Sequence, residues 1–483
     1  MNLEISSVIP TGAKRSGGIP PTSVGAIPRF TGFTRDDKDY LSSHIKFFTT
    51  MSSSSKTLTY DTSFMSPIYG ASMEPLLHQY AEKMHEARTN IMSQRKSGAI
   101  GWLDVPSDTS AIKRIARVVA SLKSCDTLLV LGIGGSDLGT RAILRALPSK
   151  RRVLFAGANT DPDELTEIFE KIDWKKTCVN IVSKSGDTIE PMSAFFLARE
   201  RLRRAVGKSY ASRIVATTDP VKGVLHDHAV KDGYHFLLIP PNVGGRYSVL
   251  PDVGLFPAAW AGIDIKSILA GAAEQTRLFE KSAIESQIAA QYAVLHAESY
   301  LRQGRSCFVL MPYAHRLELF GRWYRQLIAE SLGKAHDKQG ALVERGVTPI
   351  AALGATDQHS QIQLYMEGPQ DKVITFMEIA QFDHVVKTPK IEKEFGRLAE
   401  LSKRSLQDLI HAERRSTAEA LASVDRPNGT LFIPKLDAYN LGQLFQMFMI
   451  ATAYLGELFH VNAYDQPGVQ EGKRRFWEII DKS

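Results

Sequence analysis

Cysteine is scarce in this 483-residue chain: Cys125, Cys178 and Cys307 are odd in number and far apart. That excludes a disulfide framework and leaves no metal-binding cysteine spacing. Two of the three sit in or beside strand-like runs, as buried thiols of a reducing compartment do. Long Lys/Arg blocks, nucleic-acid motifs and interleaved basic–aromatic patterns are missing too. The formal charge of +7 and pI of about 9.1 therefore favour small anionic partners over nucleic acid. No run is apolar enough to span a membrane: Leu441 to Leu458 is interrupted by Gln443, Gln446 and Glu457 and reads as a core helix. No apolar signal-peptide core opens the sequence, and Glu4 with Asp36–Asp37 argues against a transit peptide, so a cytoplasmic protein is expected. Residues 1–60, with Gly17-Gly-Ile-Pro-Pro21 and Ser52-Ser-Ser-Ser-Lys56, read as a flexible extension.

What is present is an ordinary globular composition, long enough for two to three domains. Helical periodicity covers Pro75–Arg95 and Ile112–Leu122. The strand Thr127-Leu-Leu-Val-Leu-Gly132 then runs into Ile133-Gly-Gly-Ser-Asp-Leu-Gly139 and a helix from Thr140. Strand, glycine turn and helix aim backbone N–H groups at an anion. A dinucleotide fingerprint competes for this stretch, helped by Asp161 after the next strand (Val153–Ala156), but Asp137 stands where its third glycine belongs. A further strand, Cys178–Val182, ends in Ser183-Lys-Ser-Gly-Asp-Thr188 and a helix. The hydroxyls of Ser183, Ser185 and Thr188 there suit a phosphomonoester without a metal; a plain helix N-cap is the alternative. Strands at Arg213–Thr217 and Phe236–Ile239 lead to Gly244-Gly-Arg-Tyr-Ser248, where Arg246 is either an oxyanion-stabilising cation or a surface ion-pair partner.

The order then repeats. A long helix is expected over Ala273–Leu301, followed by the strand Cys307–Met311, a helix reaching Lys334, the strand Thr348–Leu353, a polar turn from Gly354 to Ser360, and another helix. On the helix reaching Lys334, Trp323, Leu327 and Glu330 share a face, with Gln326 beside them. A carboxylate on that face is partly desolvated and should have a raised pKa, as a general base requires; a Glu on the rim of an amphipathic helix is the bland reading. His359 lies in the polar turn. His226, His228 and His235 fall across a helix end and a strand start, so no metal site is expected. Lys473 lies in the last helix, after the Pro467-Gly468 turn. The fold expected is α/β: two doubly wound units in tandem, with parallel sheets flanked by helices.

Six blocks of the chain resemble the glucose-6-phosphate isomerase family, built from two sugar-isomerase (SIS) domains, and they follow its order. They are Leu131-Gly-Ile-Gly-Gly-Ser-Asp-Leu-Gly139, Ser183-Lys-Ser-Gly-Asp-Thr188, Gly244-Gly-Arg-Tyr-Ser248, Gln326-Leu-Ile-Ala-Glu-Ser331, Asp357-Gln-His359, and Asp465-Gln-Pro-Gly-Val469 with Lys473. The resemblance implies a first SIS domain over residues 95–265 that binds phosphate. It implies a second over 266–445, with helices from 61–94 packed on it, and a helical segment over 446–483 that completes the site.

It further implies interconversion of glucose 6-phosphate and fructose 6-phosphate through a cis-enediolate, in glycolysis and gluconeogenesis, with no cofactor and no metal. Glu330 would move the proton and Arg246 would stabilise the enediolate. His359 and Lys473 would assist ring opening. Ser183, Lys184, Ser185 and Thr188 would hold the phosphate, while Gly135, Ser136, Gly245, Gln326 and Gln466 would line the sugar. A homodimer is implied, with His359 entering from the other subunit.

Three positions depart from the family pattern: Gln470 stands for a usual Glu, Pro191 for a Thr, and Met449 for an acidic residue. They bear on phosphate affinity and packing rather than on the reaction. A related isomerase also accepting mannose 6-phosphate and a non-catalytic phosphosugar sensor are the alternatives; retention of Glu330 opposite Arg246 speaks against the sensor.

Overall fold

The computed structural model describes residues 57–482; the extension expected over 1–60 lies outside the described residues as far as 56. Its last residues enter β1 (Thr59–Asp61), a short edge strand. The apolar runs then form two sheets. In the first, β2 (Thr127–Leu131), β3 (Arg152–Ala156), β4 (Thr177–Val182), β5 (Ile214–Thr218) and β6 (His235–Leu238) are all parallel, in the order β3-β2-β4-β5-β6. β2, β4 and β5 are buried along their whole length, as strands covered by helices on both faces must be.

The second sheet takes β7 (Cys307–Pro312), then, beyond the small hairpin of β8 (Lys334–His336) and β9 (Leu342–Arg345), β10 (Thr348–Ala351), β11 (Lys372–Gln381) and β12 (Asn428–Lys435). Its order is β1-β12-β11-β7-β10, parallel except for β1, which runs antiparallel to β12. With the antiparallel edge strand β1 left aside and the parallel strands of each sheet numbered by appearance, both sheets wind second, first, third, fourth. The expected tandem of doubly wound units is therefore present in the topology. No strand was expected at β11 or β12. Glu378 interrupts the apolar run of β11, yet it is buried because Arg414 donates to it at 2.7 Å. Asn428-Gly429 reads as a turn but opens β12.

The helix expected over Ala273–Leu301 is two helices, Ile265–Lys281 and Ile288–Leu301. The break is fixed by Gln287, whose amide donates to the carbonyls of Leu278, Phe279 and Ser282 at the end of the first helix. The run taken for a core helix is one: over Ala438–Leu458, every residue from Asn440 on is buried except Glu457. Its glutamines are paired inside the core, Gln443 accepting from Gln275 at 3.1 Å and Gln446 donating to Thr276 at 2.9 Å. It lies against the Ile265–Lys281 helix so closely that a Cβ at Gly271 or Gly442 would strike the facing backbone. Among the described residues no helix is long and apolar enough to cross a membrane.

In a doubly wound sheet, ligands bind beyond the carboxyl ends of the strands where the winding reverses. For the first sheet that place lies between the loops after β2 and β4. The Glu318–Leu332 helix, which follows β7, packs on β10 of its own sheet and also on the Leu138–Ala146 helix of the first half. Its last turn is thereby carried to those loops.

Candidate active site

The β2 loop turns through a single 3-10 turn, Gly134–Ser136, which packs on a second one, Gly245–Tyr247, beyond β6. A Cβ on Gly135 would collide with the Gly245 carbonyl, so glycine is what lets the two turns touch. Ser248 joins them, donating to the carbonyls of Gly245 at 2.6 Å and Gly135 at 3.1 Å.

In the β4 loop, the Ser183 and Thr188 hydroxyls are 3.4 Å apart, and Ser183 Oγ accepts from Gly186 N–H at 3.0 Å. Thr188 is the N-cap of the Ile189–Val206 helix, but its side chain makes no capping bond. Pro191, at the third helical position, has no N–H to offer it. The plain N-cap reading is thus not what this turn does, and a hydroxyl is left beside a helix N-terminus. Ser185 is exposed and pairs with Asp187. Lys184 faces sideways, donating to the carbonyls of Pro241 at 2.6 Å and Val243 at 3.3 Å. Burial lowers its pKa. It ties the β4 loop to the loop that carries Arg246. Asp137, buried, is paired with Arg141 at 2.5 Å; burial raises its pKa against that partner.

Arg246 is 1% exposed and uses all five guanidinium N–H groups. Nε donates to Ser331 Oγ at 2.8 Å, and Nη2 to the carbonyls of Ala463 at 2.7 Å and Asp465 at 2.8 Å. Nη1 donates to Gln466 Oε1 at 2.8 Å and, more loosely, to Glu330 Oε2 at 3.4 Å. The other carboxylate oxygen of Glu330 accepts from Gln326 at 3.0 Å. Trp323 and Leu327, on the same face, are fully buried, with Trp323 edge-on to Phe445 at 4.7 Å. Glu330 lies beyond them, its side chain 34% exposed. The helix expected to reach Lys334 stops at Leu332, because Lys334 opens β8.

Glu330, Arg246, Gln326 and Gln466 are thus one bonded cluster, resting on the turns that hold Gly135, Ser136 and Gly245. His359 and Lys473 are not joined to it: among the described residues neither makes a polar contact with Glu330 or Arg246. His359 is exposed at the end of a 3-10 turn after β10. Lys473 is exposed on the Gln470–Ile480 helix, which buries none of its residues. Of the three histidines weighed as metal ligands, His228 is exposed and the other two have separate surroundings. His226 lies edge-on to Phe236, and His235 contacts the Ser212 carbonyl at 3.0 Å. Ser331, Ala463 and Asp465 also hold Arg246, without having been singled out for it. A serine hydroxyl and two backbone carbonyls leave no mark in a sequence beyond their nearness to Glu330 and Gln466.

The phosphoglucose isomerase family profile matches residues 109–483. A glucose-6-phosphate isomerase of Carboxydothermus hydrogenoformans is 36% identical over 418 residues, 83% of this chain and 89% of that one. One of Rubrobacter xylanophilus is 40% identical over 387 residues, 77% of this chain and 87% of that one. Among solved structures, a hypothetical protein of Thermus thermophilus superposes with a TM-score of 0.81 at 34% identity, covering 88% of this chain and all of that one.

Proposed function

This chain belongs to the phosphoglucose isomerase family, and on that premise we propose that the Glu330–Arg246 crevice is its active site. The protein is an aldose–ketose isomerase that interconverts glucose 6-phosphate and fructose 6-phosphate. The observation that carries the site assignment is a carboxylate and a fully buried guanidinium facing one another against the β2 glycine turn, with the hydroxyl-lined turn following the neighbouring strand β4.

In the proposed mechanism, Ser183, Ser185, Thr188 and the helix N-terminus after them hold the phosphate, and the Gly135–Ser136 turn lines the sugar. Lys184 acts on this turn by fixing the neighbouring loop. Gln326, whose amide donates to Glu330 at 3.0 Å, contacts the substrate beside that carboxylate. Glu330 takes the proton from C2 of the open aldose and returns it to C1, leaving an enediolate between the two transfers. Arg246 meets the charge that develops on the enediolate oxygens, its loose contact with Glu330 being the one that yields. Gln466, on the same Arg246 nitrogen, contacts the substrate. Ring opening needs one group to take a proton from the anomeric hydroxyl and one to give a proton to the ring oxygen. His359 and Lys473 fill those roles, with His359 supplied by a second copy of the chain. Its exposure, and its separation from Glu330 within one chain, support that origin. A phosphosugar sensor has no use for a base opposite a cation. The three free thiols support a cytoplasmic setting.

A quenched assay that follows fructose 6-phosphate to glucose 6-phosphate, with a chelator present and no nucleotide added during the reaction, tests the reading. Steady conversion is expected. A loss restored by a divalent metal would place the reaction in a different isomerase class. The phosphate turn makes a second expectation: Thr188→Ala raises KM more than it lowers kcat, because the hydroxyl grips a part of the substrate that does not change during reaction. An effect mainly on kcat would mean that the turn acts on the reacting carbons.

A further inference from the structure

A helix end leaves carbonyls without partners, and the Glu318–Leu332 helix ends beside its own catalytic carboxylate. From the first residue of β8, Lys334 turns back under that end. Its Nζ donates to the carbonyls of Glu330 at 2.6 Å and Ser331 at 3.1 Å. Lysines are almost never this enclosed: the side chain is 6% exposed. In its remaining direction it faces the Asp465 carboxylate at 3.7 Å. Asp465 is the residue whose carbonyl takes Arg246 Nη2, and it immediately precedes Gln466 on Arg246 Nη1.

The charged groups around Lys334 are therefore Glu330 from the helix, Arg246 from the turn beyond β6 and Asp465 from the loop after the core helix. Arg345 of β9, its hairpin partner, sends its guanidinium to the Phe459 carbonyl instead.

Resting on the assignment of Glu330 as the base, we propose that Lys334 is a positioning residue of the reaction. It fastens the last turn of the base-bearing helix to the Asp465–Gln466 loop, so that the Glu330 carboxylate and the Arg246 guanidinium keep their spacing while charge builds on the substrate. A simple helix-capping lysine would need neither the burial nor the acidic partner on a second loop. Burial, and next the Arg246 charge, lower its pKa to about 8. The protonated form is the one that holds Asp465, so this grip is complete below that pH and is lost as pH rises through it.

The test is the pH dependence of kcat for Lys334→Met and Lys334→Arg beside the unaltered enzyme. The unaltered enzyme is expected to lose kcat above about pH 8. Lys334→Met should lower kcat by roughly 10- to 100-fold, the scale of a small misplacement of reacting groups, leave KM nearly unchanged and show no fall near pH 8. Lys334→Arg, which does not titrate there, should recover most of kcat with a profile flat through pH 8. Unaltered kcat in Lys334→Met, or a fall near pH 8 kept by either variant, would overturn the proposal. If Lys334→Met does not fold, the profile of Lys334→Arg decides alone. Full turnover in Glu330→Gln would instead remove the base assignment, a failure that is read separately.

Discussion

Glu330→Gln is expected to bind phosphosugar almost as the unaltered enzyme does while turning it over roughly 10²–10⁴-fold more slowly, the usual contribution of a positioned base. Glutamine fills the same volume and keeps an oxygen, but it has no electron pair basic enough to take a proton from carbon. It also upsets a matched set of partners. In the native cluster both oxygens accept, one from Gln326 at 3.0 Å and one from Arg246 at 3.4 Å. An amide must turn its NH2 toward one of those donors. That mismatch is small at a side chain 34% exposed, where water can relieve it, so the fold and the phosphate turn should be unaffected. Two measurements separate the chemistry from binding: titration with a phosphosugar lacking a carbonyl, and exchange of the substrate C2 hydrogen with deuterated water. Near-native affinity with lost exchange is the expected pair. Native turnover would remove Glu330 from the reaction.

The layout was legible in the sequence wherever apolar runs and glycine turns alternate. β2, β4 and β7 are almost uninterrupted apolar stretches, and their short length with the turn residues that follow locates them. β11 escaped because its buried Glu378 is compensated by Arg414, from a helix far along the chain, and no local pattern records such a partner. The division of the helix expected over Ala273–Leu301 escaped for a similar reason: a side chain, Gln287, closes the first helix from beyond its end. Within the site, glutamate, arginine and the hydroxyl turn stood out by residue type. What holds them did not, since Arg246 is fixed by two backbone carbonyls and a serine. Lys184 reads from its motif as a phosphate-binding cation, whereas its bonds in this structure go to backbone carbonyls of the next loop, which residue type does not record.

Arg246→Lys tests that scaffold, and it is expected to be far from conservative. A lysine keeps the charge but gathers three donors at one point, whereas the guanidinium spreads five over a plane. Here the plane matters because its partners surround it: Ser331 on the Glu318–Leu332 helix, Ala463 and Asp465 on the loop after the core helix, and Glu330 with Gln466 on the side proposed to face the substrate. An ammonium reaching one of these groups abandons others, and a carbonyl buried without its donor costs about 1–3 kcal/mol. Two losses follow. The denaturation midpoint falls because the loop from Ala463 to Gln466 loses its anchor, and kcat falls by roughly 10²–10³-fold, the scale seen when a preorganised oxyanion donor is removed. Arg246→Met, with no charge at all, should lower kcat further while its stability falls by a similar amount. Lysine thus separates charge from placement. If Arg246→Lys turned over at the native rate, a positive charge anywhere in the crevice would suffice, and the five-bond cradle would have to be explained by stability alone.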